Sequence, residues 1–315
     1  MQERTVPSDA IPVMNQEFRV NSTCRLDVRV PGARLRLRHG EDDSRVVVSV
    51  SVAGCTSDEA KEVLERFNLS TRQVQDKVEV TASEPVRDAA YWSWMRSDGT
   101  VLYIDMKLPS NTDAEISAPS GEIDADGLHG DIDLIASSCP VKLTNVRGKL
   151  RITAHGATVR IDRFDGAELV VSSTGALVSV TDTRADVVAL RSTAGRLSVR
   201  DVTGRVDIEA NGSRVALIDI DGPIRGDVQA SPLSLDGIPS SQVDVRATGG
   251  PIVASVKPSF GANVVLEGHP VELDPSISFS GDIEEGRAEG RFNGGGKALL
   301  LKAVPGKIRF TQEKA

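Results

Sequence analysis

Aromatic side chains are scarce. Phe, Trp and Tyr together make up 3% of the sequence, too few to line the deep apolar pockets in which most enzymes hold small substrates. A narrow core of Val, Ile and Leu on a pleated surface needs no more than this. Cysteine is sparse too. The three present, Cys24, Cys55 and Cys139, are an odd number and make no disulfide framework. Long apolar runs are missing. The longest, 46–52 and 298–304, fall far short of the roughly 20 residues that a membrane-spanning helix requires. The opening stretch, residues 1–18, is polar, carries Pro7 and Pro12, and lacks the apolar centre of a signal peptide. As it stands the chain is therefore expected to be soluble and cytoplasmic, with cell-envelope association if a signal or anchor has been removed. A basic surface is lacking as well. The net charge of −8 and pI of about 5.2 exclude broad attraction to nucleic acid or to an anionic membrane.

What the chain does have is repetition. From Asp131 to about Ser240, successive 18- to 19-residue segments align on a recurrent glycine, with a further unit before them and a partial one after. One column reads Ile123, Val141, Val159, Val178, Leu197, Val215, Leu233, and a second, two residues on, reads Ala125, Leu143, Ile161, Val180, Val199, Leu217, Leu235. Between them stand Asp124, Lys142, Arg160, Ser179, Ser198, Ala216 and Ser234. Apolar, polar, apolar is the period of a strand with one buried face. Two residues beyond lies a turn column, Gly127, Asn145, Arg163, Asp182, Asp201, Asp219, Gly237. Gly, Asn and Asp tolerate a left-handed backbone, so a corner is expected there. A third apolar column (Leu128, Val146, Phe164, Thr183, Val202, Ile220, Ile238) and a small-residue column (Ala136, Ala154, Ser173, Ser192, Ala210) complete each unit. Antiparallel hairpins would not need the same side chain at the same place in every unit. The columns therefore predict an all-β, single-stranded parallel β-helix (a β-solenoid), in which each rung buries its apolar face only by stacking on the next.

The expected organisation is a flexible N-terminal tail (1–17), strands with one short capping helix (18–110, helix about 57–68), regular rungs (111–256), and C-terminal rungs with a cap (257–315). The helix rests on a capping box, Thr56 to Glu59, followed by Ala60, Val63, Leu64 and Phe67 at helical spacing.

No catalytic, metal or cofactor site is expected. The outward carboxylates Asp124, Asp133, Asp207 and Asp244 do not cluster. The column through Asp133 runs Asp133, Arg151, Val170, Ala189, Asp207, Arg225, Asp244, with both signs mixed. The histidines His39, His129, His155 and His269 share no column and no metal-ligand spacing. Asp182, Asp201 and Asp219 fit turn chemistry rather than calcium, because the nonapeptide repeat is absent. The segment 292–298, FNGGGKA, has Arg291 and Ala298 where a phosphate loop needs Gly and Ser or Thr, and reads as a flexible loop. Arg25, Arg29, Arg34, Arg36 and Arg38 form a charged outer face, expected to be balanced by Asp27 and by Glu41, Asp42 and Asp43. The partner-binding candidates are Tyr91, Trp92, Trp94 and Arg96. They gather both tryptophans of the chain beside an arginine, the residue types that dominate binding hot spots and sugar platforms; the competing reading is a cap on the open end of the core.

The stretch from Leu102 through LPSNTDAEISAPSGEIDADGLHGDIDL, the rungs, and the closing GGGKALLLKAVPGKIRF resembles the bacterial putative-adhesin family, a β-helix domain of unknown function. The likeness runs over about residues 20–311 and lies in turn and core signals. It implies a non-catalytic bacterial protein near the cell envelope, a right-handed helix, and no cofactor. The leading expectation is thus an adhesin-like binding module for an unknown protein or glycan. The alternatives are a self-assembling scaffold like the bactofilins, and a carbohydrate-active β-helix enzyme.

Overall fold

The computed structural model describes residues 6–21, 23–83, 99–238 and 241–312. The chain is all-β, with long parallel strands and, among the described residues, one α-helix. It forms two compact units, residues 1–153 and 154–315.

In the first unit the strands are β1 (Ile11–Arg19), β2 (Cys24–Arg29), β3 (Arg34–His39), β4 (Arg45–Ala53), β5 (Ser70–Val74), β6 (Lys77–Thr81), β7 (Val101–Leu108), β8 (Thr112–Ser117), β9 (Glu122–Asp126), β10 (His129–Ser137) and β11 (Pro140–His155), with helix α1 (Ser57–Phe67) between β4 and β5. Consecutive strands such as β8 and β9 turn a tight corner and make one layer, and layers pair strand on strand in parallel. The β8/β9 layer receives β10 and β11 on one side. On its other side it receives β2 and β3. The β2/β3 layer then pairs on its far side with β6 and β7. Layer order thus departs from chain order: the first strand pair lies inside the stack, and a later pair, β6/β7, lies outside it. That outer layer is extended by antiparallel strands, β5 on β6 and β4 on β7, with β1 on β4.

Helix α1 has the capping box foreseen in the sequence. The Glu59 carboxylate accepts from the Thr56 backbone N–H at 2.6 Å, and the Thr56 hydroxyl accepts from the Glu59 N–H at 3.5 Å. The helix ends at Asn68, whose φ of 44° is left-handed. Its buried face is Ala60, Val63 and Phe67.

The expected tail, residues 1–17, is corrected here: it holds most of β1, which pairs with β4 from Ile11↔Val52 to Arg19↔Arg45. Proline suggested irregular chain. Pro7 precedes the strand, and Pro12 sits beside a register shift between Pro12 and Met14 on a strand with one partner, where a missing N–H costs little.

The second unit contains β12 (Thr158–Thr174), β13 (Leu177–Thr193), β14 (Arg196–Asn211), β15 (Arg214–Asp221), β16 (Ile224–Gln229), β17 (Leu233–Asp236), β18 (Val243–Thr248), β19 (Ile252–Val256), β20 (Ala262–Gly268), β21 (Val271–Leu273), β22 (Phe279–Glu284), β23 (Arg287–Phe292), β24 (Lys297–Ala303) and β25 (Ile308–Gln312). The first three run unbroken around a corner. Their register carries Val159 onto Val178, Leu197, Val215, Leu233, Ile252 and finally Ile308, all in parallel. Here too the end is interleaved. The last pair, β24/β25, lies between β18/β19 and β20/β21. The outer β20 is then covered by antiparallel β23, and β23 by β22.

The inward columns predicted from the sequence are the core. All fourteen residues of the two strand columns are at most 3% exposed, and the third column is buried from Leu128 to Ile238. Each such Val, Leu or Ile contributes about 1.5–3 kcal/mol by leaving water. The turn column is left-handed at every position from Gly127 to Gly237, including Asn145, Asp182, Asp201 and Asp219 at φ 49–53° and Arg163 at 56°. A second left-handed column runs through Ser120, Ser138, Gly156, Gly175, Ala194, Gly212, Ala230 and Gly249. Beside it, buried hydroxyls satisfy the corner backbone. Ser213 Oγ accepts from the Gly195 N–H at 3.1 Å, and Ser231 Oγ accepts from the Ser213 N–H at 2.8 Å.

Candidate binding surface

With the interior filled, chemistry can only be presented on the outward positions of the layers. Strand alternation sets which residues those are. Parallel register stacks them at about 4.8 Å from layer to layer.

In the first unit the arginines of β3 are paired across layers. Arg34 lies 3.4 Å from Glu122, Arg36 lies 3.6 Å from Asp105, and Arg38 lies 2.7 Å from Asp124. The expected balance by Glu41, Asp42 and Asp43 is corrected: Asp42 instead holds Arg45 at 2.7 Å, and Asp43 accepts from the Ser110 N–H at 2.6 Å. The sequence hides the true partners because they come from layers 69–88 residues away along the chain, joined only by register. Asp27 does bind its neighbours, Arg29 at 3.0 Å and Lys77 at 2.9 Å. The Arg34 guanidinium also stands 5.5 Å from the Tyr103 ring centroid and donates to its hydroxyl at 2.8 Å. Burial pushes the Asp105 carboxyl above the ordinary range, against the pull of Arg36 and Arg38. Burial also lowers His129, with Arg147 and His39 adding to the effect. Cys24 is pushed up to about 11 by burial, then by Asp76 and Asp113, so it is no nucleophile at neutral pH. A shallow acidic groove lies along Asp113, Glu115, Asp131 and Asp133, with Arg25 and Lys77 beside it.

In the second unit the column Val170, Ala189, Asp207, Arg225, Asp244 is in parallel register as expected, and its charges alternate in sign. A different outward face concentrates one sign. Leu177 is followed by Arg196 and Arg214 in adjacent layers, and Arg200 stands four residues along from Arg196. All three arginines are exposed. None has an ion pair or side-chain hydrogen bond among the described residues. Between them the floor is Ser179, Ser198, Ala216 and Ser234. These arginines flank the very columns that revealed the repeat, and counting charges on the outward positions finds them.

The segment at 292–298 is a turn between β23 and β24. Asn293 is left-handed at φ 43°, and its amide donates to the carbonyls of Pro258 at 3.0 Å and Phe260 at 2.8 Å. Among the described residues no group of three or more His, Cys, Asp or Glu is placed to hold a metal ion. No described helix is long and apolar enough to cross a membrane. Tyr91, Trp92, Trp94 and Arg96 lie outside the described residues.

No family model matches the chain, and no curated protein matches it. Among solved structures it is similar to a putative cell adhesion protein from Clostridium sporogenes, with 9% identity over 96% of this chain and 100% of that one, at a TM-score of 0.22. It is also similar to a putative adhesin from Bacteroides fragilis, with 13% identity over 95% and 96% of the two chains, at a TM-score of 0.31. A putative adhesin from Parabacteroides distasonis is 10% identical over 95% and 96%, at a TM-score of 0.33. These neighbours carry the designation of the family that the sequence resembles. At such identities and TM-scores, neither their fold nor their function transfers to this chain.

Proposed function

We propose that this chain is a non-catalytic, adhesin-like binding module in which the layers of each unit are turns of a β-solenoid. The observation that carries the reading is the register. Position for position, Val159, Val178, Leu197, Val215 and Leu233 fall on one another, as the turns of a solenoid do. A solenoid of this kind has a filled interior and holds its outward side chains on a rigid grid, which suits recognition of an extended partner. The scarcity of aromatics and the mixed signs of the Asp133-type column favour binding over hydrolysis, since glycoside cleavage needs two carboxyl groups set across one bond.

The test is a panel of polysaccharides and host surface proteins, assayed in parallel for capture by the intact chain and for cleavage. Saturable capture without product supports the reading. Measurable turnover of any glycan overturns it in favour of an enzyme.

A further inference from the structure

We infer that the outward face of β13 to β15 is a site for an extended acidic oligosaccharide, one bearing a carboxylate on successive sugars. This deepens the binding-module reading and rests on it. Arg196 and Arg214 occupy the same position in adjacent parallel layers, so two like-charged side chains leave backbones about 4.8 Å apart. Like charges directly opposite on neighbouring strands destabilise a sheet. Some arginines of this chain do stand against carboxylates: Arg191 holds Glu209 at 3.0 Å, and Arg205 holds Asp207 at 3.0 Å. Here no carboxylate relieves the pair, although acidic residues outnumber basic ones by 45 to 37 in the chain. The nearest acids of the Arg200 column, Asp162 and Asp236, are each two layers away, and Asp162 is held by Arg163 at 2.8 Å. An anionic ligand supplies the missing countercharge. A carboxylate suits the planar guanidinium fork, which binds it through two charge-assisted hydrogen bonds.

The geometry selects among anions. The layer spacing of about 4.8 Å is close to the rise per residue of an extended pyranose chain. Single-stranded nucleic acid calls for aromatic stacking platforms, and this face has none. Arg200 lies about 13 Å along the strand from Arg196, leaving a lane for one sugar chain across Ser198 and Ala216. The Ser179 and Ser198 hydroxyls can exchange hydrogen bonds with sugar hydroxyls. Leu177, 53% exposed, offers an apolar contact at the edge.

The experiment is isothermal titration of the full chain with tri- to hexagalacturonate, using the methyl esters as uncharged controls, at two salt concentrations. The acid form is expected to bind, to weaken with salt, and to bind at least tenfold better than the ester. Arg196→Gln with Arg214→Gln is expected to reduce affinity at least tenfold while leaving the thermal midpoint of the free protein unchanged or raised, because the like-charge pair is gone. Equal affinity for acid and ester, undiminished binding by the double variant, or no binding of the acid form overturns the site. Capture of a neutral glycan or an acidic peptide that the double variant retains sinks this site while leaving the binding-module reading standing.

Discussion

At the scale of single residues the fold rests on backbone conformation as much as on burial. Gly204 has φ +130°, and a Cβ there would stand 1.7 Å from the Ala185 carbonyl oxygen of the neighbouring layer. Gly204→Ala is therefore expected to cost about 3 kcal/mol from strain, with any clash adding to it. The reverse holds at Ala194, which is left-handed at φ 53° and exposed. Ala194→Gly relieves about 1–2 kcal/mol of conformational strain and gives back part of it in chain entropy, so a gain of roughly 0.5 kcal/mol is expected. Urea unfolding of both variants checks the pair of opposite signs. Stability is also expected to fall in acid. The carboxyls of Asp42, Asp43, Glu59, Glu79, Glu267 and Asp274 are held below their usual range by hydrogen bonds. Such groups bind a proton less readily folded than unfolded, so their contribution is complete above the ordinary carboxylate range and disappears as pH drops. For Asp42 the window runs from 3.8 down to about 2. Asp105, raised by burial, works in the opposite direction, but it stands alone against six. Unfolding midpoints measured between pH 6 and pH 2 should decline, and a flat profile would contradict these assignments. Left-handed corners were legible in the sequence because Asn, Asp and Gly announce them. Arg163 and Ala194 carry no such signal themselves; Arg163 was legible only through its place in the repeat column, and Ala194 only through the register.

At the scale of elements, each end of the chain is held by interleaving. β2/β3 and β24/β25 each have a parallel layer on both sides, so neither terminal pair is a free edge. Removal of 297–315 takes β24 and β25 from between their neighbours and strips Phe310 from its contact with Phe292, whose ring centroid is 5.3 Å away. The expected result is that 257–296 become protease-sensitive while the layers from β12 to β17 stay protected, which limited proteolysis with mass spectrometry reads directly. Thr56→Ala, which removes the cap of α1, is expected to cost about 1 kcal/mol in the same unfolding assay. The regular layers were legible because they follow chain order, so like residues recur at a constant interval. The end layers were not. A pair that inserts out of order, as β2/β3 does beneath β6/β7, leaves no periodic trace, and the same cause hid the partners of Arg34, Arg36 and Arg38. The arginine face was within reach of the sequence, since Arg196 and Arg214 occupy equivalent positions one unit apart.

At the scale of the whole molecule the decisive property is what the outer strands do. Among the described residues β1, β5, β21 and β22 each have a single strand partner, and β1 carries Pro12 and a register shift beside it with Glu17 and Arg19 further along. Asp282 and Glu284 mark β22 and Arg72 marks β5. Charges, proline and irregular register on edge strands discourage strand addition by a second molecule, so the protein is expected to meet partners through its outward side chains and not to polymerise edge to edge. Electron microscopy of the full chain over a rising concentration series tests this most directly. Discrete particles at every concentration are the predicted result; filaments that lengthen with concentration would show adhesive strand edges and make the protein a self-assembling scaffold instead of a binding module.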